Sequence, residues 1–140
     1  MVKIVFCLRR KDGMKLDEFQ RYWREEHAPL VQTYAAALGI VRYVQTHTRP
    51  SPEADLLRAS RGGPEAYDGV AELWFRDTAA LIEAASTPEG MAAGAALLED
   101  ERRFIDLARS PIFLAEEHEV VGQASGGGAP LGVDTAWDGP

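Results

Sequence analysis

Large side chains recur every three or four residues between Leu16 and Tyr34. This spacing predicts an amphipathic helix that buries one stripe of its surface. Pro29 lies within the pattern and has no N–H to donate to the carbonyl of Glu25, so we expect a bend or break around His27. The predicted stripe contains aromatic, aliphatic and imidazole side chains at Phe19, Trp23, His27, Leu30, Val31 and Tyr34.

A histidine in a buried stripe has two interpretations. In the structural one, the helix kinks to follow a sheet, and His27 bonds a backbone carbonyl in the core. In the functional one, freed backbone groups and the imidazole lie together at an opening, where a group that titrates near neutrality acts as acid or base. The residues by themselves leave both interpretations open.

Alternating apolar residues and turn signals predict four strands. They are Val2–Arg9, Ile40–Arg49, Val70–Phe75 and Ile112–Val121. N-cap signals at Asp77 and Thr87 predict a short helix over Thr78–Ala85 and a longer one from Pro88 to about Leu107. The order β, α, β, β, α, β predicts an α+β, ferredoxin-like split βαβ fold with a four-stranded antiparallel sheet.

The longer helix carries apolar and acidic residues whose positions decide which side is buried. We expect its inner side to contain Met91, Ala95, Leu98 and Ile105, or positions next to them. The acidic residues Asp100, Glu101 and Asp106 are then expected on a solvated face. Among these three, Asp106 is the one considered as a partner that orients His27.

Two segments have the composition of irregular structure. Pro50–Tyr67 contains three prolines and two adjacent glycines, which predicts a loop with at most one helical turn over Glu53–Ala59. A loop of this length favours a lid or a cavity wall. Residues 122–140 are rich in glycine, which predicts a flexible tail after a single domain over residues 1–121.

Composition narrows the class of protein. The 140 residues include 46% hydrophobic and 26% charged side chains, which is typical of a globular protein. A net charge of −7 without a basic stripe argues against nucleic acid and anionic membrane surfaces as partners. Cys7 is the single cysteine, which excludes an intramolecular disulfide and a zinc-thiolate site. The sequence shows no signal-peptide pattern or bilayer-spanning run, so we expect a cytoplasmic protein.

The second predicted strand places Tyr43, Gln45 and His47 on one face. A phenol, an amide and an imidazole in a row fit a polar-lined cavity, and they fit a solvent-exposed face equally well. His27, His47 and a carboxylate such as Asp68 are a ligand set that suits iron. No local histidine spacing supports such a metal site, so we expect none.

Several segments resemble the EthD-type family of the dimeric α+β barrel superfamily. They are VKIVFCLRR, KDGM, DEFQRYWREEHAPLV, YVQTH and YDGVAELWF, and together they span most of Val2–Val121. The most specific part is the helix pattern with Phe19, Trp23, His27 and Pro29 at fixed spacing. The resemblance implies a homodimer whose subunits pack sheet to sheet, which also agrees with apolar residues on both faces of the first two strands.

The resemblance also implies a small-molecule enzyme that works without metal or organic cofactor on an aromatic or polyketide-like substrate. Cyclisation, dehydration or decarboxylation would use His27 as acid and base, with His47 and Tyr43 polarising or orienting a substrate oxygen. Expected substrate-binding residues are Phe6, Trp23, Trp74 and Gln45. A non-catalytic binding module and a cofactor-independent monooxygenase remain open, as does heme ligation by one histidine, which occurs in distant relatives of the barrel plan.

Overall fold

One antiparallel sheet of four strands organises the protein. The computed structural model describes residues 1–122 and orders the strands β2-β3-β1-β4. The strands are β1 (Val2–Leu8), β2 (Arg42–His47), β3 (Gly69–Phe75) and β4 (Ile112–Ala115). The helices are α1 (Leu16–Tyr22), α2 (Ala28–Leu38), α3 (Pro52–Arg61), α4 (Thr78–Ser86) and α5 (Pro88–Glu101), with a π-helical turn at Trp23–His27 and a 3₁₀ turn at Leu107–Arg109. The predicted α+β, ferredoxin-like fold is confirmed.

The main core lies between the inner face of the sheet and the first long helix, which consists of α1, the π-helical turn and α2 in succession. Phe6 and Ala71, which are paired across β1 and β3, contribute from the sheet. Phe19 and Trp23 from the helix, together with Phe104, complete a cluster in which all three rings are at most 1% exposed. Such complete burial of large rings provides much of the hydrophobic stabilisation.

The other side of the sheet, here called the outer sheet face, bears the alternate residues of every strand. Strand pairing places Lys3, Val5, Cys7, Arg42, Val44, Thr46, Val70, Glu72, Trp74, Phe113 and Ala115 on this face. Lys3 is buried there in an ion pair with Glu72 at 2.6 Å and a second with Glu117 at 3.3 Å.

The first long helix has the predicted start and the predicted irregularity. The Lys15 N–H donates to the Glu18 carboxylate at 3.2 Å, which satisfies one free amide at the helix start. The expected bend near His27 is a π-helical turn, in which the Ala28 N–H donates to the Trp23 carbonyl. The helix runs to Leu38, beyond the predicted end, and Gly39 with a φ of 72° terminates it.

The second long helix is shorter than predicted, and a different side of it is buried. It ends at Glu101 because the next residues turn back to the connection that follows β1, where the Lys11 N–H donates to the Phe104 carbonyl at 3.0 Å. Ala93 and Leu97 are buried, whereas Met91 is 63% and Leu98 is 41% exposed. Of the predicted inner positions, Met91, Ala95 and Leu98 are exposed, whereas Leu97 next to Leu98 is buried and Ile105 is buried as predicted.

The segment after β2 contains a helix of ten residues, so the predicted loop is wrong in extent. Its local signals are strong, because the Ser51 hydroxyl accepts from the Ala54 N–H at 3.0 Å and Gly62 ends the helix with a φ of 62°. The last strand was also predicted too long, since β4 ends at Ala115. The predicted tail lies outside the described residues apart from Gly122, and within residues 1–122 no helix has the length and apolarity to cross a membrane.

Candidate active site

His27 is buried at the end of the π-helical turn, with 5% of its surface exposed. Its Nδ1 lies 2.8 Å from a carboxylate oxygen of Asp100, and its ring packs on Phe104 with 5.1 Å between centroids. Because an ionised carboxylate only accepts hydrogen bonds, we assign the proton of the neutral imidazole to Nδ1. Nε2 then carries the lone pair, and it has no hydrogen-bond partner within residues 1–122.

The π-helical turn explains how a helix interior holds this histidine at an opening. Pro29 lacks the N–H of a regular helix, and the wider turn shifts the ladder by one residue. The Trp23 carbonyl accepts from the Ala28 N–H and also from Gln45 Nε2 at 2.9 Å. A side chain from β2 thus helps to fix the backbone that carries His27.

Both oxygens of Asp100 are used to hold aromatic side chains. One accepts from His27, and the other accepts from the Tyr22 hydroxyl at 2.7 Å. Burial lowers the pKa of His27, and Asp100 opposes this effect without reversing it. At neutral pH the imidazole is therefore neutral, and Asp100 is in place to stabilise the imidazolium that forms when Nε2 takes a proton.

A small cavity opens beside His27, between the inner sheet face and the helices. Its volume is about 40 Å³. Most of the side chains that line it are apolar, and the three polar ones are those of His27, Tyr43 and Glu101. The complete lining consists of Phe6, Leu8, Trp23, His27, Val31, Tyr43, Ala71, Leu73, Leu97, Glu101 and Ile105. An apolar cavity with a few polar groups is the usual form of a small-molecule site.

Glu101 gives this cavity a second titratable group. Its carboxyl has no hydrogen bond or ion pair to any other residue of the described chain. Burial is the main reason that the pKa of Glu101 is raised to about 7, and the neighbouring Asp100 charge raises it further, with Arg102 opposing. A substantial fraction of Glu101 is therefore protonated at neutral pH, when His27 is neutral.

Tyr43 is held on the sheet side of the cavity by a chain of side chains on β2. Gln45 Nε2 donates to the Tyr43 hydroxyl at 2.9 Å, and Gln45 Oε1 accepts from His47 Nε2 at 2.8 Å. Burial raises the pKa of Tyr43, and the Glu101 charge adds to this effect. The phenol keeps its proton, which remains available to donate to a ligand oxygen.

His47 supports the site from behind. Its ring packs on Trp23 with 4.5 Å between centroids, and it does not line the cavity. Burial lowers its pKa, as does the charge of Arg24, so the ring is neutral at neutral pH. Its Nδ1 is buried without a partner within residues 1–122.

The structure brings some of the sequence-predicted site residues together and separates others. His27, Tyr43, Phe6 and Trp23 surround the cavity, whereas Gln45 and His47 lie behind it as the hydrogen-bonded chain described above. Trp74 lies on the outer sheet face, because it pairs with Lys3 across the ladder, and its Nε1 donates to Glu117 at 2.9 Å. It is therefore not a wall of this cavity.

Asp100 and Glu101 are the residues of this candidate site that sequence reasoning missed. They were expected on a solvated face, and Asp106 was considered as the partner of His27 in their place. Asp106 instead lies 3.6 Å from Arg109. The available signal was helical spacing, because positions three or four residues apart lie on one side of a helix. That spacing connects the buried residues of α5 with Asp100, Glu101 and the buried ring of Phe104, and the full series is Gly90, Ala93, Leu97, Asp100, Glu101 and Phe104.

The two-histidine and carboxylate set considered for iron is not assembled. Asp68 binds Arg10 through a 2.6 Å ion pair, while His27 binds Asp100 and His47 binds Gln45. Within residues 1–122 no group of three or more histidine, cysteine or carboxylate side chains is arranged to hold a metal ion.

Comparisons with known proteins identify the family. A family model for the EthD domain matches residues 11–108. An EthD-family protein from Bacillus halodurans has a similar structure, with 23% sequence identity and a TM-score of 0.56. That match covers 84% of this chain and 98% of that protein. No curated protein matches the chain.

Two further solved structures share the fold. One is a dimeric protein of unknown function with a ferredoxin-like fold, from Bacteroides fragilis, which is 13% identical in sequence and has a TM-score of 0.53. That match covers 83% of this chain and 95% of the Bacteroides fragilis chain. SnoaB, a cofactor-independent oxygenase from Streptomyces nogalater, is 16% identical with a TM-score of 0.50. The latter match covers 87% of this chain and 97% of SnoaB.

Proposed function

The chain belongs to the EthD domain family, and from this premise we propose that it is a cofactor-independent enzyme that transfers protons on an aromatic or polyketide-like molecule. One observation carries the proposal. His27 is bonded to Asp100 at Nδ1 and has a free Nε2 beside a cavity that also contains the unpaired carboxyl of Glu101. A base and an acid of different protonation state then face one substrate position.

In the proposed reaction, His27 Nε2 takes a proton from a C–H next to a substrate carbonyl. The electron pair of that bond moves onto the carbonyl oxygen, where the Tyr43 hydroxyl donates to the enolate. In dehydration, the enolate pair returns to form a carbon–carbon double bond as the C–O bond of a β-hydroxyl breaks, and protonated Glu101 gives its proton to the leaving oxygen, so that water departs. In cyclisation, the enolate carbon instead attacks a second carbonyl carbon of the substrate, and Glu101 protonates the oxygen of that carbonyl. Dehydration or cyclisation follows, and proton exchange with solvent restores the starting states of His27 and Glu101.

The size of the cavity constrains how a substrate enters. A volume of about 40 Å³ holds one or two water molecules, which is too little for an aromatic ring. Entry therefore requires a wall to move, and α2 and α5 each contribute one apolar wall residue, Val31 and Leu97. We expect ligand binding to be accompanied by displacement of one of these helices.

We also propose that residues 1–121 form the catalytic domain and that two copies pair through the outer sheet face. Phe113 on this face is 50% exposed. The similar Bacteroides fragilis protein is dimeric. Sheet-to-sheet pairing would cover apolar surface that the helices on the inner face leave open.

A thermal-shift screen with aromatic and β-diketone ligands tests the site. A ligand that raises the melting temperature of the wild type and not of His27→Gln locates binding at this cavity. His118→Gln is the matched control, because His118 is exposed and this substitution removes an imidazole at a position away from the cavity. If a bound ligand is insensitive to His27→Gln, the binding-module alternative is favoured.

Deuterium exchange then tests the chemistry. The enzyme should accelerate incorporation of deuterium from D₂O at the acidic C–H of a bound β-diketone, and His27→Gln should lose this acceleration. Consumption of oxygen with the same ligand would instead favour the monooxygenase alternative. A bound ligand that shows neither exchange nor oxygen use would refute catalysis on that class of molecule.

A further inference from the structure

A second cavity lies away from His27. It is a cleft of about 590 Å³ between the β1–α1 connection, residues 9–16, and the segment of residues 48–68. We call it the basic cleft. It shares no lining residue with the small cavity at His27, and its volume lies in the range of small-molecule sites.

The basic cleft concentrates positive charge on an acidic chain. Four acidic residues also line it, and the chain as a whole has a net charge of −7. The cationic residues outnumber them, and they are Arg9, Arg10, Lys11, Arg49, Arg58 and Arg109. Such local reversal of sign attracts anions against the overall charge of the protein.

Most of these cations have no acidic partner. Arg10 is paired with Asp68 at 2.6 Å, and Arg109 lies 3.6 Å from Asp106. The other four make no ion pair with any residue of the described chain. The remaining carboxylates of the cleft, on Asp12, Asp55 and Glu65, are exposed and likewise form no ion pair.

Arg9 is held in position while keeping its full charge. Its guanidinium donates to the backbone carbonyls of Ala66 at 2.6 Å and Glu65 at 3.3 Å. It also stacks on the ring of Tyr67, 4.3 Å from the centroid. Neutral acceptors and a ring fix the side chain without neutralising it, so little rotamer entropy is lost when an anion binds.

We propose that the basic cleft binds a small anionic molecule through a carboxylate or phosphate group. The fixed Arg9 would provide the first contact. Exposed Arg49 and Arg58, which lie on the segment that forms the other wall, would close on the anion with charge-assisted hydrogen bonds. This proposal stands independently of the function proposed for the His27 cavity.

NMR titration with two probes at constant ionic strength tests the proposal. Inorganic phosphate and succinate represent the two anionic groups, and the backbone amides of Lys11, Gly13 and Thr48 should shift and saturate with at least one of them. The double variant Arg49→Gln, Arg58→Gln should weaken this binding at least about tenfold. The identity of the probe that binds distinguishes phosphate-bearing from carboxylate-bearing ligands.

The matched control is Arg61→Gln, Arg76→Gln, which changes the net charge equally. Arg61 lies on the same helix as Arg58, and both control residues are exposed and outside the cleft. The control should bind as the wild type does. Absence of saturation with both probes, or equal weakening by the control pair, would overturn the proposal. His27→Gln should leave the titration unchanged, so failure here is separable from failure at the His27 cavity.

Discussion

The protonation of two side chains, His27 and Glu101, determines what the small cavity can do. Burial lowers the pKa of His27 and raises that of Glu101, so both charged forms are disfavoured there. Asp100 acts on both residues, because it bonds to His27 and stands next to Glu101. One carboxylate therefore favours the imidazolium form of His27 and also helps to keep Glu101 protonated.

Asp100→Asn should lower the pKa of His27 further. Asp100 favours the imidazolium, and asparagine retains the shape but not the charge. The change is measured by an NMR pH titration of the His27 ring. Asp106→Asn is the control, since Asp106 lies near Arg109 and not near His27. A His27 pKa that stays constant or rises in Asp100→Asn would contradict the assigned pair.

Glu101→Gln should become progressively more stable than the wild type as the pH rises. The pKa of Glu101 is raised from 4.5 to about 7, so the unfolded chain releases this proton first. The wild type thus loses stability between about pH 4.5 and about 7, by at most about 3 kcal/mol, and the neutral glutamine does not.

Urea unfolding at pH 4.5 and pH 8 measures this difference. Glu99→Gln controls for the loss of one negative charge, because Glu99 is exposed on the same helix. A stability difference between wild type and Glu101→Gln that is the same at both pH values would show that Glu101 is not the buried group assigned here.

Between elements, a close contact of β3 with the π-helical turn holds the site together. A Cβ placed on Gly69 would lie 2.8 Å from Trp23 Cη2 and 3.0 Å from the Thr46 carbonyl oxygen. Only glycine lets the indole lie directly on the strand. The indole of Trp23 also packs on the His47 ring, and the backbone carbonyl of Trp23 accepts a hydrogen bond from the Gln45 side chain.

Gly69→Ala should therefore destabilise the protein by about 1–3 kcal/mol, because Trp23 has to move out of a closely packed core. Thermal or urea unfolding measures the loss. Gly94→Ala is the control, since a Cβ at this position on α5 meets no atom within 4 Å and alanine favours the helix. Equal stability of wild type and Gly69→Ala would contradict the packing described here.

Across the whole molecule, the two faces of the sheet differ in what covers them. The first long helix covers the inner face and forms the core with it, while Phe113 on the outer face is 50% exposed. Lys3 lies on the same face and is balanced by Glu72 and Glu117. A face with its charges paired and a large ring exposed suits contact with a second copy.

Phe113→Lys should convert a dimer into a monomer, because it would bury an unpaired charge in the proposed contact. Light scattering after size-exclusion chromatography measures the mass. Ile82→Lys is the control, because Ile82 on α4 is 58% exposed and lies off the sheet. A wild-type monomer, or a dimer that survives Phe113→Lys, would refute pairing through this face.

Much of the fold followed from local signals in the sequence. Alternation in β1 and β3 placed both strands to within about one residue, and Asp77 and Thr87 marked the two later helix starts. The long α5 was misjudged because Met91 and Leu98 look like core residues. In the structure Gly90 and Ala93 make the close contacts instead, and small residues give a weak apolar signal.

The sequence by itself determined the order of the four strands, the family resemblance and the place of His27 in a buried helix interrupted near Pro29. These depend on periodicity and on backbone chemistry, which act between neighbouring residues. Only the tertiary structure decided which partner His27 has and where Trp74 lies. Both depend on the rotation of α5 and the pairing register of β3, and contacts between residues as far apart as His27 and Asp100 set them.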